Sequence, residues 1–132
     1  MTKNAASSFL QWEESFFDTI LRILLRLTRE GYPSFLVGGA VRDLLLHRPL
    51  RDADILTKAP EKILEHLYSQ GKLSGTSAYP IYLLPVREGK ITEISFLSPG
   101  ESLEDNLRRR DFTVNSLALD QEGKLLGSPE AF

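Results

Sequence analysis

The chain has 132 residues, 42% hydrophobic and 26% charged, which is the size and balance of one folded domain and not of a disordered segment. Sixteen Lys and Arg against eighteen Asp and Glu give a net charge of −2, far from the basic balance of a dedicated nucleic-acid-binding domain. There is no cysteine, which excludes a disulfide framework, a thiolate metal site and a cysteine nucleophile and agrees with a cytoplasmic address.

Residues 1–8 read as a loose tail. Ser8 and Gln11 then offer a capping box. Phe9, Trp12, Phe16, Ile20, Leu24 and Leu27 recur at three- and four-residue steps. This spacing predicts an amphipathic helix over 9–30, stopped by Gly31 and Pro33. Glu13, Glu14, Asp18, Arg22 and Arg26 interrupt it, so it is neither a membrane span nor a secretory signal. Phe35, Leu36 and Val37 form a short buried strand that runs into Gly38 and Gly39. A short helix follows over 40–46, ended before Pro49. A second strand covers 52–56, and Pro60 opens a third helix over 60–69. Two further strands, 79–86 and 90–97, flank the hairpin-type sequence Arg87-Glu88-Gly89-Lys90. Pro80 and Pro85 mark the first of these as an edge or irregular strand. A helical region opens at Ser102 and is broken or continued through 108–119. Residues 120–123 are a polar turn before a last short strand at 124–126. Mixed helices and strands with an antiparallel portion place the chain in the α+β (mixed α/β) class.

Four features carry chemistry. Gly38-Gly39, between a strand and a helix, allow backbone N–H groups to approach a phosphate closely. Taken alone, the pair is equally the signature of a tight strand-to-helix turn. Asp52 and Asp54, two apart on a strand, project to one face while Ala53 and Ile55 enter the core. Carboxylates held side by side repel unless a cation intervenes, and hard divalent ions such as Mg²⁺ take such oxygen ligands. The competing reading is an acidic turn paired with Arg48 or Arg51. Glu93, on a strand of β-prone neighbours, is either a solvent-facing residue or a third carboxylate beside the pair. Arg108-Arg109-Arg110-Asp111 suits phosphate oxygens and ribose hydroxyls, or is a solvated charge run. Together the four compose one site for a nucleoside triphosphate with Mg²⁺, directing attack at the α-phosphorus. No GxxxxGK[ST] run or kinase loop set is present, which excludes the P-loop and protein-kinase solutions to the same chemistry.

At these residues the chain resembles the head domain of class II tRNA nucleotidyltransferases (CCA-adding enzymes) and bacterial poly(A) polymerases, members of the DNA polymerase β-like nucleotidyltransferase superfamily. The resemblance rests on Gly31-Tyr32-Pro33-Ser34-Phe35-Leu36-Val37-Gly38-Gly39-Ala40-Val41-Arg42-Asp43, on Arg51-Asp52-Ala53-Asp54-Ile55-Leu56, and on Arg109-Arg110-Asp111-Phe112-Thr113-Val114-Asn115-Ser116-Leu117. It implies a polymerase β-like mixed sheet with flanking helices. Asp52, Asp54 and Glu93 are implied as catalytic ligands of a two-metal Mg²⁺ site. Gly38, Gly39 and Arg42 would face the triphosphate, and Arg110 and Asp111 would contact phosphate and ribose. Asp43 would buttress the turn.

The resemblance also implies the partners: ATP or CTP, and an RNA 3′ end such as that of tRNA, with neither DNA nor a membrane. Residues 1–132 correspond to a single head domain. The family's neck, with its Glu-Asp-x-x-Arg motif, and its body and tail have no counterpart in these residues. RNA binding and base choice are therefore expected to need further domains or a partner chain. Two departures stand out. The family's threonine-rich strand ending in arginine is here Ile94-Ser95-Phe96-Leu97-Ser98, and a position usually Asp is Gly127. They leave a second expectation open, a binding module of the same fold that holds NTP and Mg²⁺ without turnover.

Overall fold

In the computed structural model, which describes residues 5–48, 50, 52–86, 89–108 and 117–127, helix α1 spans Ala5–Arg29. Its side chains are described from Phe16 onward. Phe16, Ile20, Ile23, Leu24 and Leu27 are all buried, which is the apolar stripe expected from their spacing. Strand β1 (Ser34–Val37) leads into α2 (Gly39–Leu45), then β2 (Asp54–Thr57) and α3 (Glu61–Leu67). Strands β3 (Lys72–Gly75), β4 (Pro80–Pro85) and β5 (Ile91–Phe96) follow, then α4 (Leu103–Arg108), β6 (Leu117–Leu119) and β7 (Leu125–Gly127).

The strands form one mixed sheet in the order β3-β4-β5-β2-β1-β6-β7. All neighbours are antiparallel except β2 and β5. That central parallel pair is closed by a crossover through α3, β3 and β4. Strand alternation divides the core into two layers. Leu36, Ile55, Ile94, Tyr82 and Leu84 pack with α1, Ala40 and Val41 of α2, and Leu64 of α3. On the opposite face Val37, Leu56, Leu97 and Ala118 pack with Leu107 of α4. Each fully buried aliphatic side chain contributes about 1.5–3 kcal/mol relative to exposure, and Ile20, Leu27, Ile55, Leu64 and Ile94 are all at 0% exposure.

The sheet departs from the sequence-based expectations at several points. Residues 5–8 are helical, so the tail is shorter than expected and Ser8 lies inside α1 instead of capping it. Pro60 is the N-cap of α3 and not its first residue. Strand β3 was not expected at all. Strand β4 is interior, between β3 and β5; its prolines sit at its first and last positions, where a missing N–H is tolerated. Residues 117–119 form a strand against β1, with Leu36 opposite Leu119, and do not prolong the helical region. The expected β4–β5 hairpin is present, with Val86 N–H donating to Lys90 C=O at 2.8 Å and Gly89 at φ 75°.

Candidate active site

The site begins where β1 ends. Val37 stands opposite Asp54, and the chain then turns through Gly38, at φ 75° and ψ −149°. That conformation is essentially confined to glycine. The turn is also tight: a Cβ on Gly38 would lie 3.2 Å from Asp54 Oδ2. At Gly39 a Cβ would lie 3.4 Å from Arg42 Nη2, so the Arg42 guanidinium folds back over the second glycine. Arg42 is half-exposed and its Nε is 3.7 Å from Asp43 Oδ1. The double glycine thus has a structural need and brings a cation and a carboxylate against a bare backbone.

Asp54 opens β2, and its partner across the parallel pair is Glu93 of β5. Partnered residues on adjacent strands share a face. The burial agrees: Ile55 and Ile94 both enter the α1-side core, leaving Asp54 half-buried and Glu93 exposed on the other side. Glu93 N–H donates to Ala53 C=O at 3.3 Å, which ties β5 to the segment between the two aspartates. Asp52 precedes the strand and is exposed, while Ala53 is buried as expected at 1% exposure. Among the described residues no three acidic or histidine side chains gather closely enough to hold a metal ion by themselves.

The structure therefore brings Gly38, Gly39, Arg42, Asp54 and Glu93 to one end of the central strands, with Asp52 just ahead of β2. Arg110 and Asp111 lie outside the described residues.

One feature of the same sheet face escapes sequence reasoning. A cavity of about 1010 Å³ is floored by Leu56 of β2 and Ser95 of β5 and walled by Lys58, Tyr79, Ser98 and Ser102, among others. Its walls are three loops far apart in sequence, the β2–α3 connection, the β3–β4 turn and the β5–α4 connection, so no local pattern announces it. Among the described residues no helix is long and apolar enough to cross a membrane.

Known proteins resemble this chain in sequence and in fold. The family model of the Poly A polymerase head domain matches residues 34–79, which include the glycine turn, both aspartates and α3. The CCA-adding enzyme of Geobacillus thermodenitrificans (strain NG80-2) is 36% identical over 83% of this chain and 30% of its own length. That of Streptococcus pyogenes serotype M5 is 37% identical over 85% of this chain and 31% of its own. The crystal structure of the Bacillus stearothermophilus CCA-adding enzyme in complex with CTP superposes with a TM-score of 0.73 at 34% identity, over 87% of this chain and 30% of that one. The Thermotoga maritima CCA-adding enzyme complexed with tRNA gives 0.67 at 25% identity, over 86% of this chain and 29% of that one. The chain spans about 30% of the length of the curated relatives it matches. By these likenesses, and by the glycine turn, aspartates and sheet register that accompany them, residues 34–79 match the Poly A polymerase head domain and most of the chain is similar to about 30% of the length of CCA-adding enzymes.

Proposed function

We propose that this chain is the catalytic head of an RNA 3′-end nucleotidyltransferase. It takes ATP or CTP with Mg²⁺ and transfers the nucleoside monophosphate to a 3′-hydroxyl, as on tRNA, releasing pyrophosphate. The observation that carries this reading is the register of Asp54 against Glu93 directly beside the Gly38 turn.

The donor set suits Mg²⁺, which takes one or two carboxylates and fills its remaining positions with water and substrate phosphates. A complete cage of protein ligands is not required. Asp52, Asp54 and Glu93 would hold the ion, which when bound lowers the pKa of the attacking hydroxyl and offsets charge on the leaving pyrophosphate. The protein's own groups do the rest. The bare backbone at Gly38 and Gly39 admits the triphosphate, and Arg42 supplies charge-assisted hydrogen bonds to it. We assign Arg110 to phosphate and Asp111 to ribose on the strength of the motif alone. In the transfer, the 3′-oxygen bonds to the α-phosphorus and the bond to the bridging oxygen of the β-phosphate breaks. Pyrophosphate leaves with that electron pair, and the hydroxyl proton passes to water. A net charge of −2 supplies little of the phosphate attraction on which RNA affinity rests, so we assign most of the RNA grip to further domains or a partner chain.

A second reading, an NTP–Mg²⁺ binding module without turnover, draws on Ser95-Phe96-Leu97-Ser98, where the family's strand usually ends in arginine. The test is incorporation of label from α-labelled ATP or CTP into tRNA lacking its CCA end, beside direct NTP titration. Incorporation supports the enzyme. NTP binding without incorporation, even with added neck and body domains, supports the binding module. Absence of NTP binding rejects both.

A further inference from the structure

Resting on that reading of the site, we propose that the buried hydroxyl pair Ser34–Thr57 fixes the register of β1 against β2 and so sets Asp54 against the glycine turn. Ser34 and Thr57 are then positioning residues for the nucleotide and its metal. The two are cross-strand partners at one end of a four-residue ladder, and Val37 and Asp54 are partners at the other. Three residues along a strand span about 10 Å, so neither hydroxyl reaches the ligand and both act through the strands.

The pair is polar on a face whose other β1 and β2 residues, Leu36 and Ile55, belong to the apolar core. Ser34 is 1% exposed and Thr57 0%. Buried hydroxyls cost free energy unless they are hydrogen-bonded, and here both are. Ser34 Oγ and Thr57 Oγ1 lie 2.7 Å apart, and Ser34 Oγ donates to Tyr32 C=O at 3.0 Å. A hydroxyl has one proton to give, so Thr57 is the donor within the pair. Thr57 Oγ1 in turn accepts from Ala59 N–H at 3.1 Å. A directed chain therefore runs from Ala59 N–H through Thr57 and Ser34 to Tyr32 C=O, and it joins the corner before β1 to the corner after β2.

Hydrophobic burial alone does not select this register. Strand β1 is apolar on both faces, with Leu36 in the α1-side core and Phe35 and Val37 on the α4 side. Strand β2 is too, with Ile55 on one side and Leu56 on the other. The alternation of apolar and polar residues that ordinarily specifies a register is missing. A slip of one residue would turn β1 over and still bury Phe35, Leu36 and Val37. It would also carry Ser34 to the other face, leave Thr57 without its acceptor and move Gly38 about 3.3 Å along Asp54. A buried polar pair suits this task because the wrong register leaves it unpaired. Strand β5 is aligned on β2, with Asp54 opposite Glu93 and Leu97 N–H donating to Thr57 C=O at 2.9 Å. Both carboxylates are therefore placed against the glycine turn by the one choice of register.

The test compares the 132-residue wild-type chain with Thr57→Ser, with Ser34→Ala and with Ser34→Ala combined with Thr57→Val. The readouts are the urea midpoint, the amide NMR signals of Gly38, Gly39 and Asp54 without ligand, and calorimetric titration of CTP with Mg²⁺. Thr57→Ser keeps the hydroxyl pair and should match wild type in amide signals and CTP affinity. The double variant removes both hydroxyls together and orphans neither, so it should fold. Its amides should give doubled signals, one set for each register. Its affinity for CTP with Mg²⁺ should fall by about tenfold to a hundredfold, the usual effect of losing a group that orients a metal ligand. Ser34→Ala keeps the bond from Ala59 to Thr57 and should show the same changes more weakly, which decides the matter if the double variant does not fold. Wild-type CTP affinity or single, unshifted amide signals in these hydroxyl-deleted variants, whatever their urea midpoints, would mark the pair as merely structural and overturn the proposal. So would the same losses in Thr57→Ser. Failure of the wild-type chain to bind CTP with Mg²⁺ would strike the reading of the active site itself, while the amide signals, which need no ligand, still decide the register.

Discussion

Gly38 and Asp54 meet across the turn between β1 and α2, so closely that a single methyl group at Gly38 would come within 3.2 Å of the Asp54 carboxylate. The glycine is also held at φ 75° and ψ −149°, a region that other residues enter at a cost of about 1–3 kcal/mol. Gly38→Ala should therefore lower stability by about that amount in urea denaturation. It should also weaken NTP binding by more than the stability loss explains, because the new methyl displaces the carboxylate that we propose holds the metal. Unchanged NTP affinity in a folded Gly38→Ala protein would separate the turn from the site.

Arg42 lies over Gly39 with its side chain 49% exposed, and its contact with Asp43 is a long 3.7 Å. Such an exposed pair contributes at most about 1 kcal/mol, so Arg42→Ala should barely move the denaturation midpoint. Its effect should fall on ligands. A charge-assisted hydrogen bond to phosphate contributes about 1.5–3 kcal/mol. CTP binding should weaken roughly tenfold to a hundredfold by that conversion, while CMP, lacking the β- and γ-phosphates, should be little affected. The check is a pair of titrations, and equal losses for CTP and CMP would remove Arg42 from the triphosphate.

Gly71 serves the core and not the site. A Cβ there would lie 2.2 Å from Tyr82 Cε2, and Tyr82 is 1% exposed with its hydroxyl donating to Tyr68 C=O. Gly71→Ala should destabilise by about 1–3 kcal/mol through overpacking and leave NTP affinity in the folded protein unchanged. Burial pushes the Tyr82 hydroxyl above its ordinary pKa of 10.0, the Glu65 charge adds to this and a backbone hydrogen bond opposes it. A raised folded-state pKa gives stability that is present below pH 10 and lost as pH rises past it. Burial also raises Tyr68, against the lowering effect of Arg26. Stability should fall above about pH 10 in the wild-type protein, and Tyr82→Phe should make the fall shallower without abolishing it.

Asp111, assigned to ribose by the motif, gives a selectivity prediction. Asp111→Ala should narrow the preference for CTP over dCTP by about 1.5–3 kcal/mol, the value of a hydrogen bond to a charged group. Arg110→Ala should weaken both nucleotides equally. Competition titration checks this, and equal losses in the Asp111 variant would make that residue structural.

Much of this site could be read from the chain because its parts are local. The Gly38-Gly39 turn, the Asp52-x-Asp54 spacing and the apolar stripe of α1 each lie within a few residues, and local sterics write them directly into sequence. What could not be read was pairing over distance. Nothing in the residues around Glu93 says that β5 lies parallel to β2 in a register that sets it opposite Asp54. That partnership follows from a crossover of three elements. Strand β3 escaped because all four of its residues are exposed, so burial imposes no alternation on Lys72-Leu73-Ser74-Gly75. Strand β6 escaped because three residues carry no period, and it forms only where Leu36 and Val37 offer an edge. Pro80 and Pro85 misled for a physical reason: proline bars the middle of a central strand but not its ends.

The most direct measurement is calorimetric titration of CTP and ATP into the wild-type chain and into Asp54→Asn, each with and without Mg²⁺. Asp54 stands opposite Glu93 in the register of β2 and β5, and Asp54→Asn keeps the size and shape of the side chain, so the variant should remain folded. Binding that requires Mg²⁺ in the wild-type chain and is lost in this folded variant is the expected result. Mg²⁺-dependent binding that survives Asp54→Asn unchanged, or NTP binding indifferent to Mg²⁺ in both proteins, would contradict the assignment of Asp54 and Glu93 to a metal-assisted nucleotidyl transfer site.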